Sequence, residues 1–285
     1  FTNLTLTGNY AEAGKYHDGE GGGIWVNGSN SRFENSTLDN NMADNYGGGI
    51  ASLGSDCTFV NNTLTYNYAS YGGGIAVDEG DLEGTENITF YNNTILYNNA
   101  MIGGGGVYVN AQHVNFTDNE ISYNDGGITG GAFQVNGDDL YIENLTSEYN
   151  TALNGGSSAV YSCENLTVKN STFVGNTATV SPYRGLGGAF HLYDVTNADI
   201  QASFYNNTAR NGSAIYSERS TGVYIHDSDF VENQAFSYLL SIAPENNTVL
   251  NENQSFNISV THIGGDNIMN AIYNTGGSND IGFTN

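Results

Sequence analysis

Two short motifs recur along the whole chain and restrict it to a repeat architecture. The first is a run of small residues, usually Gly-Gly followed by Gly or Ala, and then a large apolar residue. It ends at Ile24, Ile50, Ile75, Val107, Phe133 and Phe190, with weaker copies ending at Val160, Ile215, Ile242 and Ile272. The second is an apolar residue, two variable residues, Asn, one variable residue and Ala or Gly. Its asparagines are Asn9, Asn41, Asn67, Asn98, Asn124, Asn150, Asn176, Asn207 and Asn233, and a degraded tenth copy has Asp266 in that place.

The spacing of these motif asparagines defines the repeat. Successive positions, up to Asp266, differ by 32, 26, 31, 26, 26, 26, 31, 26 and 33 residues, which describes a 26-residue unit with four short insertions. Each unit contains stretches of alternating apolar and polar residues between corners rich in Gly or Asn, as in short β-strands. A unit this small cannot bury its apolar face alone, whereas stacked units can. The sequence therefore predicts an all-β parallel β-helix of about ten coils, right-handed by the general crossover preference.

Two further rows accompany the motif asparagines. A polar row lies six residues before each of them, at Asn3, Asn35, Asn61, Asn92, Asp118, Asn144, Asn170, Gln201 and Asp227. An apolar row lies two residues earlier still, at Phe1, Phe33, Phe59, Phe90, Phe116, Ile142, Val168 and Ile225, with Asp199 as its one interruption. We expect the corner asparagines to form hydrogen bonds along the stack and to adopt left-handed backbone conformations. The aligned apolar rows should fill a continuous interior.

Composition and charge exclude several classes of protein. The chain has 42 Asn, 38 Gly and 30 acidic residues against six basic ones, giving a net charge of −24. Two lysines and four arginines cannot neutralise a phosphate backbone, so nucleic-acid binding is disfavoured. No apolar run approaches the ~20 residues that a membrane-spanning helix needs, so we expect no such helix in this segment. The acidic surface would keep an elongated rod with exposed strand edges soluble.

The paired motifs also carry a family resemblance. Copies such as Phe204-Asn207-Ala209 and the GGAF ending at Phe133 resemble the GGAI and FxxN repeats of the chlamydial polymorphic outer membrane proteins. They are also similar to the adhesin-like β-helix proteins of methanogenic archaea, and the likeness extends from Leu6 to about Ile272. The resemblance implies a β-helical, extracellular protein of the cell surface with a structural or adhesive role, as a stalk, sheath or filament subunit. It transfers no catalytic residue.

Both ends of the chain have the same local sequence. Phe1-Thr2-Asn3 and Phe283-Thr284-Asn285 would occupy one register, so a continuation would repeat the chain after 285 − 3 = 282 residues. We therefore expect residues 1–285 to be a single β-helix domain within a longer rod. Its partners would be covalent neighbouring repeats or copies of itself stacked head to tail; an arbitrary fragment of a large adhesin is the alternative.

The sequence contains no recognisable catalytic or metal-binding pattern. Its acidic clusters are Asp78/Glu79 with Asp81, Asp138/Asp139 and Asp227/Asp229, and they do not recur coil after coil on one face. The five histidines never fall within metal-ligand spacing of one another. We expect a solvated acidic surface, no cofactor, no metal site and no enzymatic activity. The alternative is a carbohydrate-active β-helix enzyme, a polysaccharide lyase or a glycoside hydrolase, which would need converging carboxylates.

Aromatic residues are the more suggestive candidates. Tyr66, Tyr97, Tyr123 and Tyr149 directly precede the motif asparagines of four consecutive coils. Outward positions after the glycine motif carry Trp25, Tyr108, Gln134, Tyr161, His191, Tyr216 and Tyr273. Stacked outward aromatics would bind surface glycans or pack against a neighbouring rod, although β-strand faces favour Tyr for structural reasons alone.

Cysteines and glycosylation sequons complete the candidates. Cys57 and Cys163 lie four coils apart, about 19 Å at ~4.8 Å per coil, so they should not form a disulfide with each other. Of the 15 Asn-x-Ser/Thr sequons, six belong to the polar corner row, which we take to be internal. Asn206, Asn246 and Asn253 are the candidates for glycosylation.

Overall fold

The chain forms a right-handed parallel β-helix. The structure, a computed structural model, describes residues 1–14, 17–78, 84–179 and 185–235 and four later strands. The described residues contain no helix; each coil passes through four stacked columns of strands, each named here after one of its interior residue types. The order within a coil is Phe column, Leu column, Ala column and Ile column.

The strands of each column are short. The Phe column comprises Arg32–Glu34, Thr58–Val60, Glu86–Tyr91, Gln112–Thr117, Leu140–Glu143, Thr221–Ile225, Ser255–Val260 and Ser278–Phe283. The Leu column comprises Thr5–Thr7, Thr37–Asp39, Thr63–Thr65, Thr94–Leu96, Glu120–Ser122, Thr146–Glu148, Asp229–Val231 and His262–Gly264. The Ala column comprises Tyr10–Ala11, Met42–Ala43, Tyr68–Tyr71, Asn99–Gly103, Thr151–Ala152, Thr177–Ala178, Thr208–Ala209 and Gln234–Ala235. The Ile column comprises Ile24–Asn27, Ile50–Leu53, Ile75–Asp78, Val107–Asn110, Phe133–Asn136, Ile215–Glu218 and Ile272–Asn274.

Three further features complete the described strands. Ser158–Val174 and Phe190–Tyr205 each run without a break through the Ile, Phe and Leu columns. Ala13–Gly14 and His17–Asp18 form an antiparallel pair within the first predicted insertion. The pairings between coils in the four columns are parallel, as the repeat predicted, and their register shifts between Ala69 and Tyr71 and between Val168 and Ser171.

Stacked rows of identical residues fill the interior. The rings of Phe33, Phe59, Phe90 and Phe116 are fully buried and stack at centroid distances of 4.9, 4.9 and 4.5 Å. Each coil thus covers the apolar face of the next, which is why a single unit would not fold alone.

The motif asparagines form a continuous buried ladder. The Oδ1 of each one accepts from the backbone N–H and the Nδ2 of its counterpart one coil earlier; the sequence separations along the described ladder are 32, 26, 31, 26, 26, 26, 31 and 26 residues. From Asn41 onward each Nδ2 also donates to a backbone carbonyl, such as that of Ile95 for Asn124. The expected hydrogen bonding along the stack is confirmed for these residues.

The Gly-Gly pairs form the corner between the Ala and Ile columns. The first glycine of each pair, such as Gly47 or Gly104, has a φ near +63°. The second glycine approaches the next coil so closely that a Cβ on Gly105 would lie 2.4 Å from the carbonyl oxygen of Gly131. Both positions exclude other residues, one through its backbone conformation and one through space.

Three register predictions were wrong. Ser158, rather than Val160, pairs with Phe133 and Phe190 in the Ile column, because two small residues replace the expected apolar one. Ile200, rather than Asp199, continues the Phe row, because a one-residue irregularity after Val168 restores the alternation.

The third correction concerns the final strand. Ile281 continues the Phe row by pairing with Ile258, so Phe283 lies two residues out of register with Phe1. The weaker glycine-motif copy ending at Ile242 lies outside the described residues.

Candidate functional site

Four tyrosines form an exposed ladder at the corner between the Leu and Ala columns. Tyr66, Tyr97, Tyr123 and Tyr149 stack on one another at centroid distances of 5.2, 5.0 and 5.3 Å, with interplanar angles of 7°, 19° and 19°. Their exposed fractions are 58%, 44%, 42% and 49%. Because each ring face adjoins the next ring, the ladder presents ring edges and phenol hydroxyls to solvent.

Every tyrosine of this tyrosine ladder has a left-handed backbone. The φ angles of the four residues are 55°, 57°, 59° and 51°. This conformation costs a residue with a Cβ roughly 1–2 kcal/mol. The same corner holds Gly8 and Asn40 before the ladder and Gly175 and Asn206 after it, which are residue types that adopt it more readily, and finally Glu232 with a φ of 55°. The ring of Tyr149 lies over Gly175, where a Cβ would be 2.5 Å from the ring.

Acidic residues surround the ladder. Burial raises the pKa of Tyr123, and the neighbouring Tyr97, Glu148, Tyr149 and Glu120 raise it further. Tyr123, in the middle of the ladder, therefore lies in a negative local potential. A partner that carries negative charge would be repelled here.

The second predicted aromatic row is not an exposed ladder. Tyr108 and Tyr216 point outward from the Ile column but are only 8% and 7% exposed. Tyr161 is not the counterpart of Tyr108. It pairs with Asn136 and Tyr193, which lie two residues later along their strands, at the next outward position. These side chains belong instead to a recessed seam beside the Gly-Gly corner, so exposure separates them from the tyrosine ladder.

Side-chain size alternates across this seam. The residue before each Gly-Gly pair is bridged to its counterpart in the next coil, as Tyr46 is to Tyr71. In two coils the residue before the glycine pair is large, Tyr46 or Tyr71, and the outward residue of the Ile-column strand is small, Ala51 or Ala76. In the next coil the sizes are reversed, with Gly103 before the glycine pair and Tyr108 on the strand. The rings of Tyr71 and Tyr108 lie 5.0 Å apart. The aromatic residues on the two sides of the seam thus interdigitate and leave little of the seam exposed.

Asp78 is a buried carboxylate within the seam. It is 8% exposed, accepts a hydrogen bond from Asn110 Nδ2 at 3.1 Å and is hydrogen-bonded by Tyr46. Burial raises the pKa of Tyr46 to about 12, and the adjacent Asp78 contributes to the rise. The sequence placed Asp78 in a solvated acidic cluster, which is wrong for this residue. Its companions Glu79 and Asp81 lie outside the described residues.

His191 is the second buried titratable group of the seam. It is 5% exposed, and burial lowers its pKa to about 4. Its Nδ1 lies 3.4 Å from the hydroxyl of Tyr161, whereas Nε2 has no hydrogen-bond partner among the described residues. Burial also raises the pKa of Tyr161 to about 12. Sequence alternation predicted the outward direction of His191 but gave no signal for its burial.

The remaining acidic clusters lie at other corners and pair with histidines. Asp139 lies at the corner between the Ile and Phe columns, 3.0 Å from His113 Nδ1. His226 bridges Asp199 and Asp227 at 2.9 Å each, and the hydrogen bond to Asp227 contributes most to raising its pKa. In the described part of the chain, no group of three His, Cys, Asp or Glu side chains is arranged to hold a metal ion.

Cys57 and Cys163 are buried, unpaired thiols, so the prediction that they do not form a disulfide is confirmed. Both lie in the core cluster, and burial raises the pKa of Cys163 to about 12. A protonated thiol in the core is a poor nucleophile.

The corner sequons are placed differently from the prediction. Asn35, Asn61, Asn92, Asn144 and Asn170 are exposed, not internal, and have φ angles of 47° to 53°. The following residues, such as Asn62 and Asn93, are the buried ones. Asn206 is exposed with a φ of 53°, and Asn246 and Asn253 lie outside the described residues.

Family comparisons agree with this architecture. The model of the right-handed β-helix region matches residues 22–209, about two thirds of the chain, and the Chlamydia polymorphic membrane protein repeat matches residues 201–218. The second match spans one copy of each motif, at Phe204 and Ile215, and indicates a surface protein. No curated protein and no solved structure matches the chain. No described helix is long and apolar enough to cross a bilayer. The chain belongs to the right-handed β-helix family.

Proposed function

We propose that this chain is an extracellular, non-catalytic β-helix of a cell surface that binds a neutral glycan along its tyrosine ladder. The observation that carries the proposal is the left-handed backbone of four consecutive exposed tyrosines. Four such residues cost about 4–8 kcal/mol, and three stacked pairs return only about 1.5–4.5 kcal/mol. Strain of this kind persists at functional sites.

The charge around the ladder favours a neutral partner. Glu120 and Glu148 lie close enough to raise the pKa of Tyr123, and the whole chain carries a net charge of −24. Lateral packing of two identical ladders would bring these carboxylates together, and an anionic polymer would meet the same repulsion. Phenol hydroxyls donate and accept hydrogen bonds, so the row of ring edges suits the hydroxyls of an uncharged sugar chain.

The placement of the acidic residues supports a non-catalytic role. Hydrolysis of a glycosidic bond requires two carboxylates on either side of that bond. Asp78 is recessed at the Ile column, Asp139 lies at the corner between the Ile and Phe columns, and Asp227 lies at the corner between the Phe and Leu columns. Asp78, Asp139 and Asp227, one residue from each acidic cluster of the sequence, therefore lie on different sides of the rod.

The test compares binding of the chain to insoluble neutral polysaccharides before and after removal of the ladder. The variant replaces Tyr66, Tyr97, Tyr123 and Tyr149 by Asn, which occupies the same corner at Asn40 and Asn206 with the same backbone. The matched control replaces Tyr91 and Tyr224, which are 44% and 42% exposed on the Phe column, by Asn. We expect the ladder variant to lose about tenfold or more in affinity, the factor that corresponds to about 1.4 kcal/mol.

Four results would contradict the proposal. Equal binding by the ladder variant would remove the ladder from recognition, and an equal loss in the control would make the effect nonspecific. Self-association of the wild type that the ladder variant abolishes would assign the ladder to contacts between copies. Shortened glycan chains recovered after incubation would overturn the non-catalytic assignment.

A further inference from the structure

We propose that the exposed corner between the Phe and Leu columns is a site of N-linked glycan attachment. Six sequon asparagines lie in register along this corner, one per coil on four consecutive coils and again on two later ones. This sequon edge comprises Asn3, Asn35, Asn61, Asn92, Asn144 and Asn170. The inference does not depend on glycan binding by the tyrosine ladder.

The local geometry presents both residues that a glycosyl transferase reads. In the sequon Asn35-Ser36-Thr37, the asparagine and threonine are exposed, whereas the serine between them is 2% exposed. In Asn170-Ser171-Thr172 the asparagine is likewise exposed and Ser171 is 2% exposed, whereas Thr172 is half-buried. The left-handed backbone of the asparagine turns the chain at the corner, so its side chain projects from an edge of the rod rather than from a flat face.

Hydrogen bonding distinguishes the six asparagines. The Nδ2 of Asn61 donates to Asn35 at 3.2 Å, that of Asn92 to Asn61 at 2.9 Å, and that of Asn144 to Asp118 at 2.9 Å. Among the described residues, Nδ2 of Asn3, of Asn35 and of Asn170 donates no hydrogen bond, so these three are the most available acceptors. Asn3 and Asn35 lie on adjacent coils, so Asn35 and Asn170 are chosen as the well-separated pair.

Strand spacing limits how many sites carry a glycan at once. Adjacent coils are about 4.8 Å apart, which is less than the width of a branched sugar core. Asn35 and Asn170 are separated by four intervening coils, those that carry Asn61, Asn92, Asp118 and Asn144, so both can be modified on one molecule. By contrast, the corner sequons at Asn87 and Asn165 donate Nδ2 to carboxylates of Asp56 and Asp139, at 3.1 and 2.9 Å.

The chemistry is transfer of an oligosaccharide from a polyprenyl-phosphate-linked donor. The side-chain Nδ2 attacks the anomeric carbon and forms the N–C bond, and the bond from that carbon to the phosphate oxygen breaks. The polyprenyl phosphate departs with the electron pair, and the amide proton passes to a base of the transferase. No oxidation or reduction occurs.

The experiment expresses the full chain, with a secretion signal and an appended exposed sequon, in a host that has an oligosaccharyl transferase. Glycans are removed by an amidase in heavy-oxygen water, which converts each modified Asn into labelled Asp, and peptides are read by mass spectrometry. We expect label at Asn35 and Asn170. The variants Thr37→Val and Thr172→Val should each abolish the label at their site, whereas Asn40→Gln, an exposed left-handed asparagine outside any sequon, should change nothing.

The outcome is decisive because the appended sequon reports whether the transferase acted. Label on that sequon without label at Asn35 and Asn170 would overturn the proposal. Label that survives Thr37→Val and Thr172→Val would overturn it as well, because the modification would then not depend on the sequon. Circular dichroism spectra identical to the wild type show that the variants are folded.

Discussion

Replacing one asparagine in the middle of the buried ladder should destabilise the fold far more than its size indicates. Oδ1 of Asn124 accepts from the backbone N–H and Nδ2 of Asn98 at 2.8 and 3.0 Å. Its Nδ2 donates to the carbonyls of Ile95 and Ser122 and to Asn150. Asn124→Ala removes these contacts but leaves the backbone donor of residue 124 paired with Asn150.

The magnitude follows from the groups left without partners. After Asn124→Ala, the buried N–H of Asn98 loses its partner, which costs about 1–3 kcal/mol, and the carbonyl of Ile95 loses one hydrogen bond, which costs about 0.5–1.5 kcal/mol. We therefore expect a loss of about 1.5–4.5 kcal/mol in the free energy of unfolding. Asn9→Ala is the matched control, because Asn9 is exposed and its side chain makes a single hydrogen bond, to Asn41, among the described residues. It should cost about 1 kcal/mol or less.

The assay is urea denaturation followed by far-ultraviolet circular dichroism, with stabilities compared at a common slope. Equal losses for Asn124→Ala and Asn9→Ala would refute the reasoning, since the argument depends on burial. Asn124→Asp adds an isosteric check. The carboxylate keeps the acceptor for Asn98 but faces the carbonyls of Ile95 and Ser122, so this variant should become more stable relative to the wild type as the pH falls and the carboxylate is protonated.

Two further predictions concern the seam and the glycine corner. His191 is neutral in the folded protein with a pKa of about 4, so the unfolding free energy should fall as the pH is lowered from about 6.5 to 4, by about 3 kcal/mol at most. His191→Gln should flatten this pH dependence, measured by urea denaturation. The opposite contribution of His226, whose pKa is raised, remains in both proteins. Gly105→Ala should cost about 1–3 kcal/mol in the same melts, because its Cβ would meet the backbone of the next coil, whereas Gly28→Ala, with nothing within 4 Å, should change stability by less than about 1 kcal/mol.

The fold could be predicted because each residue of a coil is packed mainly against its own counterparts. Phe59 lies between Phe33 and Phe90, so one constraint appears in the sequence as many times as there are coils. The same holds for the motif asparagines, whose spacing gave the repeat length and the insertions. Where a residue packs only against its counterparts in the same column, its spacing in the sequence is enough to predict its position in the coil.

Prediction failed where a contact joins different columns. Ser147 and Ser158 occupy two interior positions that apolar residues fill in other coils, and Ser157 joins them through hydroxyl contacts of 2.7 and 2.8 Å. Because each hydroxyl has a partner, the interior tolerates the polar residues, and the first apolar residue after them, Val160, matched the glycine motif instead of Ser158. The prediction of an exposed aromatic row at the seam failed for a related reason. Alternation gives the outward direction of the His191 side chain but not which residues bury it.

The two left-handed corners that border the Leu column show why the tyrosines require an explanation beyond the fold. At the corner with the Phe column, residues such as Asn61, Asn92 and Asp118 occupy the left-handed position, as backbone energetics alone would select. At the corner with the Ala column, the same conformation is held by the tyrosine ladder. Both corners belong to the same coils, and the three stacked ring pairs return less than the backbone conformation costs, so backbone geometry alone does not account for the difference. The glycan contact proposed for those four rings would account for it.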